Sequence, residues 1–127
     1  MHDHFLYISS FSAPQVLTLP LPASSIAKED DPISLTCESD GWPKAEITWY
    51  WDTMQLHHDG DKYSIETSEE RFDNGIIRVK SVLTIDFLSR DEADTYSCKA
   101  ESVVNSVKSS TELIVGGMVS LITNSMS

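Results

Sequence analysis

The 127-residue chain carries 9 basic and 20 acidic side chains for a formal charge of −11, with 2 cysteines and 3 tryptophans. That length is one ordinary domain, able to bury a core without metals or multiple crosslinks. The basic residues are scattered singly, so no stripe neutralises a phosphate backbone and nucleic acid and anionic membranes are poor partners; the acidity itself favours solubility and a basic partner.

The first segment, "MHDHFLYISSFSA", has a short apolar stretch from Phe5 to Ala13 with the outline of a signal peptide. It lacks a basic start and a strong apolar run. Residues 1–13 are therefore read as a leader or flexible tail, 14–116 as the domain and 117–127 as a C-terminal tail. The end, "LIVGGMVSLITNSMS", is interrupted by Gly116, Gly117 and Ser120. Its apolar run is about half of what a bilayer crossing needs. Any membrane attachment is expected through parts outside this chain.

Between the tails, apolar residues alternate in a series of short runs separated by turn residues. These are "ISLTC" (Ile33, Leu35, Cys37), "AEITW" (Ala45, Ile47, Trp49), "VKSVLTI" (Val79, Ser81, Leu83, Ile85), "YSCKA" (Tyr96, Cys98, Ala100) and "TELIV" (Thr111, Leu113, Val115). No segment sustains a helical period. Alternation of period two at short spacing predicts an all-β fold of antiparallel strands, a sandwich or a barrel. Cys37 and Cys98 share the inward phase, with Trp49 twelve residues after the first. Between two packed sheets that spacing allows a disulfide with an indole against it. A bridge closing this loop would stabilise the fold by about 4 kcal/mol on chain-entropy grounds and requires an oxidising compartment. The alternative is two reduced, buried thiols in a cytosolic domain.

"LTCESDGWPKAEITW" followed by "SVLTIDFLSRDEADTYSCKAES" resembles the immunoglobulin superfamily, over roughly Gln15 to Gly116. Leu83-x-Ile85, Leu88 and Asp94-x-Tyr96-x-Cys98 match that family's E strand, E–F turn and F strand in order. The resemblance implies an immunoglobulin-like two-sheet antiparallel Greek-key sandwich, with Tyr96 as the tyrosine corner. "DEADTYSC" is similar to variable and intermediate-set domains, whereas "GWPKAEITW" and "GIIRVKSVLTI" look like membrane-proximal domains of costimulatory and programmed-death ligands. No Phe-Gly-x-Gly follows the F strand, which argues against a rearranging antigen receptor. Trp49 to Lys62 leaves room for one C′ strand near Met54 to His57 and hardly for a C″, which favours the intermediate set.

The D–E hairpin has Asp73-Asn74-Gly75 as its turn signal. A two-residue turn would put carboxylates on the core phase. A three-residue turn opposes Ile65 to Leu83, Tyr63 to Ile85 and Glu70 to Arg78, and keeps the apolar residues on one face. In this register Lys62 starts strand D. The resemblance then implies a structural ion pair from Lys62 to Asp94, while Arg71 falls beside the turn at the opposite end.

Catalysis and metal binding find little support. In "HHDGDKY", His57, His58, Asp59 and Asp61 are close in sequence, but adjacent strand residues point to opposite faces, and a solvated turn is the simpler reading. There is no glycine-rich phosphate cradle or nucleophile elbow. No cofactor and no enzymatic activity are expected. Of the tryptophans, Trp49 is the core indole and Trp51, on the same phase, plugs the edge of the core. Trp42, assigned to the B–C loop, either packs over Pro43, with a cis peptide between them, or stands free as an anchor. Tyr50 has the outward phase, on a GFCC′ face shared with Glu46, Thr48, Lys99, Glu101 and Lys108.

Two functions are consistent with this resemblance. One is an extracellular recognition module of a cell-surface adhesion molecule or immune-type receptor. It would bind a partner protein, a second copy of itself included, through Trp42, Tyr50, Lys99, Glu101 and Lys108. The other is a structural spacer of a multidomain ectodomain or giant filament protein, with no ligand of its own.

Overall fold

Residues with alternating burial form the sheets. The computed structural model describes residues 11–116. The strands are β1 (Ala13–Leu19), β2 (Ser24–Lys28), β3 (Ile33–Trp42), β4 (Glu46–Trp51), β5 (Met54–Leu56), β6 (Tyr63–Arg71), β7 (Ile77–Ile85), β8 (Thr95–Glu101) and β9 (Ser106–Gly116). One sheet has the order β1-β3-β7-β6 and the other β2-β9-β8-β4-β5. In immunoglobulin lettering these are ABED and A′GFCC′. β5 is a three-residue C′ strand and the next strand, β6, joins the opposite sheet, so no C″ strand intervenes.

β3 and β7 bury every second residue, which turns Leu35, Cys37, Ile77, Val79, Leu83 and Ile85 inward. Trp49, Leu83, Ile85, Leu88, Tyr96 and both cysteines are completely buried. Each large apolar side chain removed from water in this way contributes roughly 1.5–3 kcal/mol. Cys37 and Cys98 are disulfide-bonded between the two sheets, with Cα atoms 6.5 Å apart. The Trp49 indole N–H crosses between the sheets to donate to Ser81 Oγ at 2.9 Å, which satisfies a polar group deep in the core. Trp51 stacks on Tyr96 with ring centroids 6.5 Å apart and packs half-buried against the core.

The hairpin of β6 and β7 has the three-residue register: Ile65 pairs with Leu83, Tyr63 with Ile85 and Glu70 with Arg78. The Phe72 amide donates to the Ile76 carbonyl at 2.9 Å, and Gly75 takes a left-handed φ of 92°. That conformation costs a glycine little and a side-chain-bearing residue more.

The sheets depart from the antiparallel expectation at one pair, since β2 runs parallel to β9. β1 lies in one sheet and β2 in the other. The chain crosses between them through Pro20-Leu21-Pro22 without reversing, and so arrives beside β9 in the same direction. Both prolines lack an N–H for a ladder. Leu21 plugs the crossing, buried, with its amide donating to Ser109 Oγ at 2.8 Å.

Candidate protein-binding face

The outward residues of β4, β8 and β9 form ordered rungs across the five-stranded sheet. Glu46 pairs with Glu101 and that with Ser106; Thr48 with Lys99 and that with Lys108; Tyr50 with Ser97 and that with Ser110. Gln55 of β5 flanks Tyr50 on the other side. Tyr50 is half-buried, and the Thr48 hydroxyl donates to its oxygen over a long 3.4 Å. Lys99 Nζ lies 3.5 Å from Glu101 Oε1 along the same strand. Beyond the glutamate rung is a shallow hollow of about 440 Å³ lined by Glu46, Thr48, Glu101, Ser102 and Val103. The expected residues Tyr50, Lys99, Glu101 and Lys108 thus share one face. A separate apolar spot lies at the β2–β9 edge, where cross-strand neighbours Ile26 and Ile114 are 78% and 42% exposed.

The outer face of the four-stranded sheet differs in how its charges are matched. Asp40 faces Arg78 across β3 and β7, and the carboxylate takes two guanidinium hydrogen bonds at 2.8 and 3.0 Å. Glu38 is opposite Lys80 and is also 3.4 Å from Arg78, which lies over the Phe72 ring at 4.9 Å. Opposite charges face each other there, and Arg78 is matched by both Asp40 and Glu38. Trp42 belongs to this sheet. β3 extends through it and pairs it with Ala13, so it ends a strand where a loop was expected. Its peptide bond to Pro43 is cis, and its side chain is half-buried. Trp42 is therefore not brought together with Tyr50.

Lys62 does not pair with Asp94. Its ammonium is 2.7 Å from Glu92 Oε1 and 2.8 Å from the Phe87 carbonyl. Glu92 closes a 3₁₀ turn at Arg90–Glu92, where the same Oε1 accepts the Ser89 amide at 2.8 Å. This turn lifts Glu92 toward Lys62. Asp94, exposed, uses its carboxylate on the Thr95 amide at 2.7 Å. The Tyr96 hydroxyl donates to the Glu92 carbonyl at 2.8 Å, the expected tyrosine-corner bond. Burial, with Tyr63, Glu92 and Asp94 adding their negative charge, pushes the Tyr96 phenol well above the usual tyrosine value; burial, with Glu92 and Asp59, raises that of Tyr63.

The "HHDGDKY" stretch is a turn. Asp59 Oδ1 accepts the Asp61 amide at 2.8 Å and the Tyr63 amide at 2.9 Å, and these bonds hold the carboxyl below its usual value. His58 Nδ1 accepts the Ile65 amide at 3.0 Å. Among the described residues no three His, Cys, Asp or Glu side chains converge in a way that could hold a metal.

The sequence reading missed a buried clamp at the other end of the sandwich. The Gln15 side chain, 2% exposed, donates to the Pro43 carbonyl at 2.8 Å and accepts from the Ser39 hydroxyl at 2.7 Å. Its backbone amide donates to Asn105 Oδ1 at 2.7 Å, which ties the F–G turn to β1. Gly41 makes room for this clamp, since a Cβ there would lie 2.3 Å from Gln15 Nε2. A glutamine amid exposed neighbours in a proline-flanked strand carries no periodic signal. Glu92 did carry one, because Ser89-Arg90-Asp91-Glu92 has the spacing of a capping box.

A family profile described as "Immunoglobulin domain" matches residues 14–102. Human hemicentin-1 is 35% identical over 86 residues, 68% of this chain and 1% of that protein. Rat protein turtle homolog B is 29% identical over 108 residues, 85% of this chain and 7% of that one. The chain thus spans a small part of these relatives. Among solved structures, a chimeric titin Z1Z2 aligns with TM-score 0.69 at 21% identity, over 84% of this chain and 99% of that one, which shows the fold. The N-terminal eight immunoglobulin domains of Down Syndrome Cell Adhesion Molecule align with TM-score 0.68 at 25% identity, over 82% of this chain and 13% of that one. The formed disulfide and these relatives place the domain in an extracellular or cell-surface setting, and the family is one of adhesion and structural modules without catalytic activity. A two-sheet sandwich bridged from Cys37 to Cys98 across Trp49, with the tyrosine corner at Tyr96, makes this chain a member of the immunoglobulin superfamily.

Proposed function

We propose that the domain is a protein-recognition module of a cell-surface adhesion molecule or immune-type receptor, and that its partner protein docks on the outer face of β9, β8, β4 and β5 around Tyr50. The observation that carries this reading is the contrast between the two outer faces. On the four-stranded sheet, opposite charges lie across from each other and Arg78 bonds to Asp40; on the five-stranded sheet, a half-buried tyrosine stands among charges that oppose their own kind. A partner gains by covering the second face and loses by covering the first. The Trp42 end of β3 is a second, smaller candidate anchor.

The competing reading is a spacer without a ligand, favoured by the likeness to titin domains and by the small share of each relative that the chain spans. Display of the folded chain to an array of extracellular domains, itself included, separates the two. The recognition reading expects at least one saturable binder that is lost in Tyr50→Ala; an array without any supports the spacer.

A further inference from the structure

β6 is a free edge of the four-stranded sheet. At its two ends the Asp86 amide donates to the Lys62 carbonyl and the Phe72 amide to the Ile76 carbonyl. The bonds to β7 therefore fall on the even-numbered residues, and Tyr63, Ile65, Thr67, Glu69 and Arg71 turn their N–H and C=O groups away from the sheet. The C′–D turn closes the first of these groups. Asp59 Oδ1 accepts the Tyr63 amide at 2.9 Å, and the Asp59 and Gly60 amides donate to the Tyr63 carbonyl at 3.0 and 3.1 Å. His58 Nδ1 accepts the Ile65 amide at 3.0 Å, and among the described residues the edge runs unpaired from there through Arg71.

The two side-chain acceptors differ in chemistry. A carboxylate accepts in neutral and mildly acidic water alike, and the amides of Asp61 and Tyr63 hold the Asp59 carboxyl below its usual value. An imidazole takes up a proton within the range of about pH 5 to 8. In the neutral ring Nε2 carries the hydrogen and Nδ1 accepts; in the imidazolium both nitrogens are donors. The proton that charges His58 therefore sets one donor against another and ends the bond to Ile65. We propose that His58 is an acid-sensitive latch on the edge of β6, which holds the Ile65 amide in neutral surroundings and releases it in acidic ones while Asp59 keeps the Tyr63 end closed.

The surroundings of the ring favour this division. His58 is exposed, so solvent protons reach it, and a Cβ on Gly60 would lie 3.7 Å from its Nε2, which places the turn against the ring. The titratable groups around it are His57 before it, Asp59, Asp61 and Lys62 in the turn, and Glu66 beside Ile65 on β6. Lys62 is engaged with Glu92. Charge on His58 lowers the Asp59 carboxyl further, so the step that opens one bond tightens the other. Release frees the edge from Ile65 to Arg71, and unpaired edge groups are what an added strand pairs with. The latch lies on the sheet opposite Tyr50 and is independent of the recognition reading.

Residue-resolved amide hydrogen exchange of the full chain, at about pH 7.5 and about pH 5 on either side of the histidine range, reads the latch. Each rate is divided by that of an unstructured peptide at the same pH. In the wild type, protection of the Ile65 amide should fall roughly tenfold or more on acidification, as loss of one hydrogen bond implies, while that of Tyr63 stays. His58→Gln supplies an acceptor that does not titrate and should keep Ile65 protected at both pH values; His58→Ala should leave it open at both. Unchanged circular dichroism and an intact disulfide keep misfolding out of the comparison. Protection of Ile65 that is the same at both pH values in the wild type overturns the proposal. So does acid-dependent loss that persists in His58→Gln, or protection that survives in His58→Ala. A fall at Tyr63 as large as that at Ile65 also overturns it, because the whole turn then opens and His58 is no separate latch.

Discussion

Lys62 Nζ lies 2.7 Å from Glu92 Oε1, while Asp94 turns its carboxylate to the Thr95 amide. Glu92 is 7% exposed and serves both an ammonium and the Ser89 amide, so its removal leaves two donors without their acceptor. Charge-assisted hydrogen bonds of this kind contribute about 1.5–3 kcal/mol each when half-buried. Glu92→Ala should therefore lower stability by about 2 kcal/mol or more, and Asp94→Ala by less than half of that. Urea midpoints of the two variants check the order, and an equal or reversed order contradicts the assigned pair.

Gln15 and Gly41 form a second coupled pair. Gln15→Ala leaves the Ser39 hydroxyl and the Pro43 carbonyl unbonded at a buried site, for a loss of about 2 kcal/mol. Gly41→Ala drives a methyl group into the Gln15 amide, an overpacking cost of about 1–3 kcal/mol. Truncating Gln15 relieves the contact with its amide and leaves the one with the Ala13 carbonyl, 2.9 Å from the methyl position, so the double variant should cost less than the sum while keeping part of the cost of Gly41→Ala. Additivity in a double-mutant cycle would show that the clamp does not pack as described.

Alkaline pH provides a third test. Burial raises the phenols of Tyr63 and Tyr96, so the folded chain holds those protons more tightly than the unfolded one, whose tyrosines titrate near about 10. Their stabilisation is full below that value and is lost as pH rises above it. Tyr96→Phe should cost about 1 kcal/mol at neutral pH for the bond to the Glu92 carbonyl, and should flatten the loss above pH 10. Midpoints at neutral pH and above pH 10 decide, and an unchanged alkaline slope would count against the buried phenol as its cause.

The core indole gives the largest expected effect. Trp49→Ala removes a completely buried ring and leaves Ser81 without its donor, for a loss of about 3–5 kcal/mol. Trp51, half-buried on Tyr96, should fall well below that, and Trp42 lower still. Thermal midpoints for the three variants give the ranking; Trp42→Ala as costly as Trp49→Ala would contradict it.

The central strands were legible because each buries one face, so that Leu35 and Cys37, Val79 and Leu83, and Tyr96 and Cys98 announce their phase through period two. The hairpin register could be derived for the same reason, since a one-residue slip would have turned Glu66 inward. β1 and β2 were not legible. Their exposed residues include Val16, Leu19 and Ile26, and the residue that β1 buries most deeply is the polar Gln15. The Asp40–Arg78 pair joins positions 38 residues apart and follows only from the pairing of β3 with β7. Lys62 lies one residue before its strand, which starts at Tyr63 and not at Lys62, and its acidic partner depended on the shape of the turn at Arg90–Glu92, which strand periodicity does not describe. On the candidate face, phase alone put Tyr50, Lys99, Glu101 and Lys108 together. The like-charge rungs needed the strand registers.

Recognition through the Tyr50 face is tested most directly by the affinity of the folded chain for a binding extracellular domain, compared among wild type, Tyr50→Ala and Lys80→Ala. Tyr50 occupies the face proposed to be covered, and Lys80 the outer side of the opposite sheet. Truncating an interface anchor costs about 2 kcal/mol or more. The account predicts that Tyr50→Ala raises the dissociation constant at least tenfold while Lys80→Ala leaves it unchanged. An unchanged constant in Tyr50→Ala, or an equal loss in both variants, would contradict it.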